Sequence, residues 1–204
     1  MSTPSQNSSS EEYLAAVTIG ERVPLNAQIT LVAPDPQWPV MFAQEHARIS
    51  AVLGDRALAL EHVGSTSVPG LLAKPILDIL LVVPDSSDEP AYVPDLEAAG
   101  YILRIREPDW HQHRLLKGPD TPINLHVFSP GSAEAPRMLG FRDHLRANPA
   151  ARDRYAQAKR ELAARTWTHV QHYADAKTEV IEAILTEARA TDPARQDRPG
   201  HESK

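Results

Sequence analysis

An aspartate set inside an otherwise apolar run constrains this chain more than any other feature. Residues 76–83 read ILDILLVV, a pattern that predicts a strand buried on both faces. A carboxylate in such a strand is costly unless it is paired, hydrogen-bonded or bound to a metal. Asp78 is therefore the leading functional candidate. The structural alternative is that it accepts hydrogen bonds from nearby amides or pairs with Lys74.

What precedes this strand strengthens the functional alternative. Residues 57–63 predict a strand that runs into Gly64, Ser65, Thr66 and Ser67. Glycine permits a tight turn, and three hydroxyls with several backbone amides in one short loop suit phosphate oxygens. Pro69 and Gly70 mark a second turn, Lys74 supplies a mobile positive charge, and Pro75 favours extended backbone before the buried strand. Serine-rich turns are common. Coupled to an acid on the next strand, this one gains specificity.

The remaining pattern is strands first and helices last, an α+β layout. Residues 28–32 predict an edge strand, and a turn at Pro34-Asp35-Pro36 lets Asp35 cap a helix carrying Trp38, Phe42, His46, Ile49 and Leu53 until Gly54. A short helix at 95–99 stops at Gly100, and strands are expected at 101–106, 114–117 and 123–128. In the last of these Ile123, Leu125 and Val127 share one face, so Asn124 and His126 share the other. Helices are expected at 134–147, at 149–165 with Asn148 as cap and Pro149 in first position, and at 168–190. Residues 1–27 read as a disordered or loosely docked N-terminal tail and 28–190 as a single domain. Within it, 28–133 form the sheet core and 134–190 the C-terminal helices, while 191–204 read as a disordered tail.

Composition narrows the function classes. There is no cysteine, which removes disulfides, thiolate metal sites and cysteine nucleophiles and fits a reducing cytoplasm. The longest apolar run is far short of the roughly 20 residues that cross a bilayer. A formal charge of -6 argues against wholesale nucleic-acid binding, but a local basic face can still hold a small phosphate compound. Residues 134–165 carry eight basic residues against four acidic ones. Arg142 with Arg146, Tyr155 with Lys159, and Tyr173 with Lys177 each lie four apart and share a helix face. Three such faces could converge on a phosphate, or could display solvated charge with the tyrosines packed between helices.

The stretch EHVGSTSVPGLLAKPILDIL at 61–80 resembles the hallmark of the GrpB family, which also occurs fused to dephospho-CoA kinase. The resemblance extends through PDPQWPVMF upstream and LHVF, FRDHLRANP, RYAQAKRELA and HYADAKTEVIEAIL downstream, over residues 29–188. It implies a nucleotidyltransferase-like fold, a mixed sheet flanked by helices with a helical C-terminal segment. In the general nucleotidyltransferase pattern a Gly-Ser turn precedes two acids one residue apart, and a third acid lies on a later strand. Gly64, Ser65 and Asp78 match. Leu80 stands where the second acid belongs, and the later strand offers Asn124 and His126. The departures favour one Mg2+, held by Asp78 and substrate phosphates, over a two-metal arrangement.

Several further residues are expected at the site. His126 is a metal ligand or proton-transfer group; His62 is a metal ligand with Asp78 and His126. Of Glu61 and His62 only one can face the site, because neighbours on a strand point oppositely. His111 and His113 lie on one strand face, and without a third ligand they are expected at the surface. Arg114 is a further basic candidate, and Lys74, Arg142 and Arg146 would neutralise phosphate charge. The resulting expectation is transfer from ATP or another NTP to a small-molecule acceptor, or activation of a carboxylate for ligation. The alternative is a non-catalytic nucleotide- or phosphate-binding module.

Overall fold

The structure is a computed structural model and describes residues 10–22 and 24–190. In chain order it runs α1 (Glu11–Val17), β1 (Ala27–Gln28), α2 (Trp38–Leu53), β2 (Ala59–Val63), β3 (Leu77–Val82), α3 (Val93–Ala98), β4 (Ile102–Glu107), β5 (His113–Lys117), β6 (Ile123–Phe128), α4 (Glu134–Ala147), α5 (Pro149–Ala163), β7 (Thr166–Trp167), α6 (Val170–Asp175) and α7 (Thr178–Ala190). Five strands form one sheet in the order β2-β3-β6-β5-β4, with β3 and β6 parallel and the other neighbours antiparallel. A mixed sheet flanked by helices and followed by a helical segment is the α+β architecture expected from the sequence.

Strand alternation assigns the two faces. Leu77, Ile79 and Leu81 of β3 lie beside Ile123, Leu125 and Val127 of β6, and with Leu103 and Leu116 they pack under Trp38, Ile49 and Leu53 of α2 and Leu96 of α3. On the other face Val63, Leu80 and Phe128 are covered by Ala135, Met138 and Leu139 of α4. Both faces of β3 are thus apolar at this end, as its sequence demands. The C-terminal helices add a smaller core in which Leu145, Ala151, Tyr155 and Ile184 close over Val68 and Leu71 of the loop before β3.

Helix boundaries follow local chemistry where the sequence marks it. Asn148 accepts the Ala151 N–H at 3.0 Å with Pro149 in the first turn, so α5 begins where expected. Asp35 acts one step earlier than expected: its side chain accepts from Gln37 N–H at 2.8 Å and stabilises the turn ahead of α2, whose own cap position is Gln37.

Two other expectations are corrected. The helix expected over 168–190 is two helices, α6 and α7, after a short strand, and no glycine or proline in the segment marks the breaks. Tertiary packing imposes them: β7 pairs with β1, and Tyr173 turns inward edge-on to Trp167. The edge strand expected at 28–32 shrinks to β1 plus a single bridge from Val32 to Ala73. Within the N-terminal segment, expected as disordered or loosely docked, α1 is capped by Ser10 and Thr18 bridges Ile105 of β4. Residues 1–9 and 191–204, also expected as tails, lie outside the described residues. No helix among the described residues is long and apolar enough to cross a membrane.

Candidate functional site

Helix α4 covers only part of the second sheet face. The uncovered part floors a cleft of about 490 Å³. Asp78 of β3, Asn124 and His126 of β6, and Leu115 and Lys117 of β5 form its sheet wall; Lys159 of α5, Tyr173 of α6 and Lys177 form the facing wall. Gly64, Ser65 and Lys74 close one end, while Leu14 and Thr18 from the N-terminal segment line another side.

Asp78 is held from three sides. Its Oδ1 accepts from Asn124 Nδ2 at 2.7 Å, and His126 Nε2 stands 3.6 Å from the same oxygen. Asn124 is oriented in turn by Lys117 Nζ, which donates to its Oδ1. Gly64 has φ +67° and passes so close to Asp78 Oδ2 that any Cβ would overlap it. The turn thus requires glycine for backbone conformation and for clearance. Burial works to raise the Asp78 carboxyl, but His126, the Asn124 amide and Lys74 outweigh it and hold the group at about 2.

The facing wall is cationic. Lys159 is 2% exposed and donates to the Leu72 carbonyl, with its ammonium 5.3 Å from the Tyr155 ring centre. Lys177 and Lys74 lie 4.6 and 5.7 Å from the Tyr173 ring centre, within the range of cation–π attraction. Burial pushes Lys159 down to about 7, and Lys177 and Lys74 add to the shift. Burial and Lys177 likewise push Lys74 down to about 8 against the pull of Asp78, and burial lowers Lys177. Tyr173 is 1% exposed, and its hydroxyl has no hydrogen-bond partner among the described residues. Three crowded ammonium groups around the Asp78 end of the cleft make a site that gains stability from a polyanion.

Gly64, Ser65, Lys74, Asp78, His126, Lys159, Tyr173 and Lys177 of the expected set line the cleft. The rest do not. His62 pairs in register with Ile79, so it points to the opposite sheet face, where it stacks on Phe42 with ring centres 4.9 Å apart. Its Nε2 lies 3.0 Å from Thr66 Oγ1, which accounts for Thr66 as well, and burial pushes the ring down to about 4. The expected His62 metal ligand is thereby corrected to a packing residue. Ser67 closes the turn on itself, donating to the Gly64 carbonyl at 2.6 Å.

The arginines are corrected for a common reason. Arg114 lies on the first sheet face and pairs with Glu89. Arg142 donates to Glu61 Oε2 at 2.7 Å and the His62 carbonyl at 3.0 Å; Arg146 donates twice to the Ser67 carbonyl, at 3.0 and 2.8 Å. Both fasten α4 to the outside of the turn. Tyr155 is buried edge-on to Phe141 and reaches Ser65 from behind the cleft.

The sequence reading also placed His113 at the surface, and it is 3% exposed. Its Nε2 lies 3.1 Å from His126 Nδ1 and its Nδ1 2.6 Å from Glu107 Oε2. The missed signal is strand alternation: pairing β5 antiparallel to β6 puts His113 on the His126 face.

Leu80 stands at the second-acid position. It is 1% exposed and packed among Val63, Phe128 and Ala135 beneath α4, so the second-acid position is filled with hydrocarbon. No group of three or more histidines and acids among the described residues is placed to hold an ion. Asp78 fits one hard cation whose other ligands are phosphate oxygens and water, and the site does not fit two.

A mixed sheet whose Gly-Ser turn leads to an acid-bearing strand, beside a lysine-lined cleft, defines an α+β protein with a cationic cleft. The chain belongs to the GrpB family: the family model described as GrpB protein matches residues 28–187. It is 62% identical over 181 residues to UPF0157 protein BH1888 of Halalkalibacterium halodurans, covering 89% of this chain and 93% of that one. It is 30% identical over 177 residues to a dephospho-CoA kinase of Mycolicibacterium paratuberculosis, covering 74% of this chain and 44% of the relative. The crystal structure of conserved protein GrpB from Enterococcus faecalis superposes with a TM-score of 0.66 at 30% identity, over 78% of this chain and 96% of that one.

Proposed function

We propose that the cleft binds a nucleoside triphosphate such as ATP and transfers its nucleotidyl group to a small-molecule acceptor. The observation that carries this reading is the convergence of Lys74, Lys159 and Lys177 on the Gly64-Ser65 turn opposite Asp78. The lysines and the turn bind the phosphates, and the Tyr173 hydroxyl adds a buried donor. Asp78 would hold one Mg2+ together with phosphate oxygens; the ion, when bound, supplies charge neutralisation there.

In the transfer, an acceptor oxygen attacks the α-phosphorus, the bond to the bridging oxygen breaks, and pyrophosphate leaves. The acceptor proton passes to His126, and the lysines stabilise the charge that develops on the leaving group. With a carboxylate as acceptor, no proton moves and the product is an acyl-nucleotide ready for ligation. A dephospho-CoA kinase among the similar proteins and a cytoplasmic setting, where nucleotide and magnesium are abundant, both suit this reading.

The buried Leu80 favours a second reading, a nucleotide-binding module without turnover. Calorimetry with ATP, with and without Mg2+, on the native protein and Asp78→Ala separates the two. Binding that depends on Mg2+ and Asp78, with pyrophosphate release over an acceptor panel, is expected for the enzyme. Binding indifferent to both would overturn the metal role, and binding without turnover would favour the module.

A further inference from the structure

The edge strand β4 carries an irregularity that the transfer chemistry does not use. On the cleft face Ile102 pairs with Lys117 of β5, and Arg104, two residues on, shares that face. The register then shifts between Leu103 and Ile105, so that Ile105 pairs with Leu115 and lines the cleft beside Arg104. Such shifts re-aim side chains, and diagonal neighbours on adjacent strands lie about 7–8 Å apart, within reach of long side chains. Arg104 and Lys117 thus stand together toward the β4 edge of the sheet, opposite the edge that carries the Gly64-Ser65 turn.

Neither charge is met by a carboxylate among the described residues. Lys117 Nζ donates to Asn124 Oδ1, and Arg104 Nη2 donates to the Glu21 carbonyl at 2.6 Å. The Ile19 N–H donates to the Arg104 carbonyl at 2.8 Å, so the N-terminal segment holds both strand and side chain in place. Both acceptors of the cations are neutral, which leaves the other guanidinium donors and the remaining ammonium hydrogens for a ligand. Arg22, the other arginine on the cleft, is already paired with Glu11. Adjacent strands lie about 4.8 Å apart, so β4 stands on the order of 14 Å from β3, and the Arg104 guanidinium is tied outward to the segment that flanks β4. A group gripped there is too far from Asp78 to be the one that reacts; it is an anchor. Glu21 lines the cleft beside Arg104, so the excess charge suits a singly charged carboxylate, which an arginine fork matches, better than a phosphate dianion.

We propose that Arg104 and Lys117 form an acceptor subsite, and that the acceptor is a small hydroxy acid whose carboxylate docks there while its hydroxyl reaches toward Asp78. The role of the hydroxyl rests on the proposed function; the carboxylate subsite rests on Arg104 and Lys117 alone. Phosphates are held at Lys74, Lys159 and Lys177, and Ile105 and Leu115 give the carbon skeleton of the acceptor an apolar floor beside its anchor.

The test is a 1H–15N amide titration of the full chain, free and saturated with Mg2+ and a non-hydrolysable ATP analogue. The probes are γ-hydroxybutyrate, its uncharged amide and inorganic phosphate. Saturable binding of γ-hydroxybutyrate to the loaded protein is expected, with shifts at residues 102–105 and 115–117 and an affinity at least about tenfold above that of the amide. Arg104→Gln should weaken it by about tenfold or more, and Arg104→Lys, which keeps the charge, should recover part of the loss. The same spectra report whether each variant is folded. No saturable γ-hydroxybutyrate binding to the loaded native protein overturns the proposal, whatever the variants do. Equal binding in folded Arg104→Gln, or phosphate binding more tightly than the carboxylate at residues 102–105, overturns it as well. If the ATP analogue itself does not bind, the transfer reading falls, while carboxylate shifts in the free protein that Arg104→Gln removes would keep the subsite.

Discussion

The two walls of the cleft are built on different principles. The sheet wall is hydrogen-bonded and nearly charge-balanced: Asp78 is ringed by Asn124, His126 and, through Asn124, Lys117. The helical wall is unbalanced, with Lys159 on α5, Lys177 in the turn between α6 and α7 and Lys74 beside them, pressed around tyrosine rings. A balanced wall is stable as it stands and can position a reacting group. An unbalanced one carries electrostatic strain in the free protein that an anionic ligand relieves. On the proposed function, positioning belongs to the sheet and affinity to the helices.

The largest effect is expected from forcing the sheet wall toward the two-acid pattern. Leu80→Asp places a carboxylate among Val63, Phe128 and Ala135 beneath α4, with no partner. It should lower stability by about 3–5 kcal/mol, the usual cost of an uncompensated buried charge, measured by urea unfolding. A folded Leu80→Asp protein that gained Mg2+-dependent ATP binding would show that the covered position opens, and would break the assignment of Leu80 to the core.

Next is a substitution on the helical wall, where stability and binding should part. Lys177→Met keeps the stem that packs beside Tyr173 and removes one crowded ammonium. Stability should hold or rise, while ATP affinity falls by about 10- to 150-fold, the equivalent of about 1.5–3 kcal/mol for a hydrogen bond to a charged group. Calorimetry of both variants and the native protein measures the two effects. Equal affinity in Lys177→Met would remove the helical wall from the phosphate site.

These walls also differ in how far they could be read in the sequence. Alternation in residues 123–128 put Asn124 and His126 together, and the apolar run around Asp78 exposed its cost, because a strand's period settles direction locally. Spacing by four on the helices correctly joined Tyr155 to Lys159 and Arg142 to Arg146, but what each face meets is set by packing. Arg142 and Arg146 find Glu61 and Ser67 about 80 positions away, and no local pattern marks those partners. His113 was missed because its burial depends on the hairpin of β5 and β6 and on Trp110 folding over it.

A smaller and graded effect comes from pH. In the unfolded chain Lys74 and Lys159 hold their protons up to about 10.5, the ordinary lysine value; in the folded chain they release them near 8 and 7. Between those limits the unfolded state binds more protons, so these two groups make stability rise with pH from about 7 to about 10.5. Anion binding should run the opposite way, because it needs the ammonium forms: ATP affinity should fall as pH rises from about 6 to about 9, with proton uptake on binding. Calorimetry in buffers of different ionisation enthalpy reads the uptake directly. Binding without proton uptake would mean that the lysines are already charged and that the helical wall is less strained than its geometry indicates.

The smallest expected change distinguishes the cleft from its outer brace. Arg146 donates two hydrogen bonds to the Ser67 carbonyl, yet 40% of its side chain is exposed, so water can replace much of what it contributes. Arg146→Ala should therefore cost about 1 kcal/mol of stability or less. Arg142 still fastens the turn from its own side through the His62 carbonyl, so Gly64 should keep its place against Asp78 and ATP affinity should barely change. The loss is then one of rigidity in the turn, visible as faster amide exchange at residues 65–68 with the cleft chemistry intact. A drop in ATP affinity as large as that of Lys177→Met would mean that Arg146 swings inward to the phosphates, and that the brace and the helical wall are one surface.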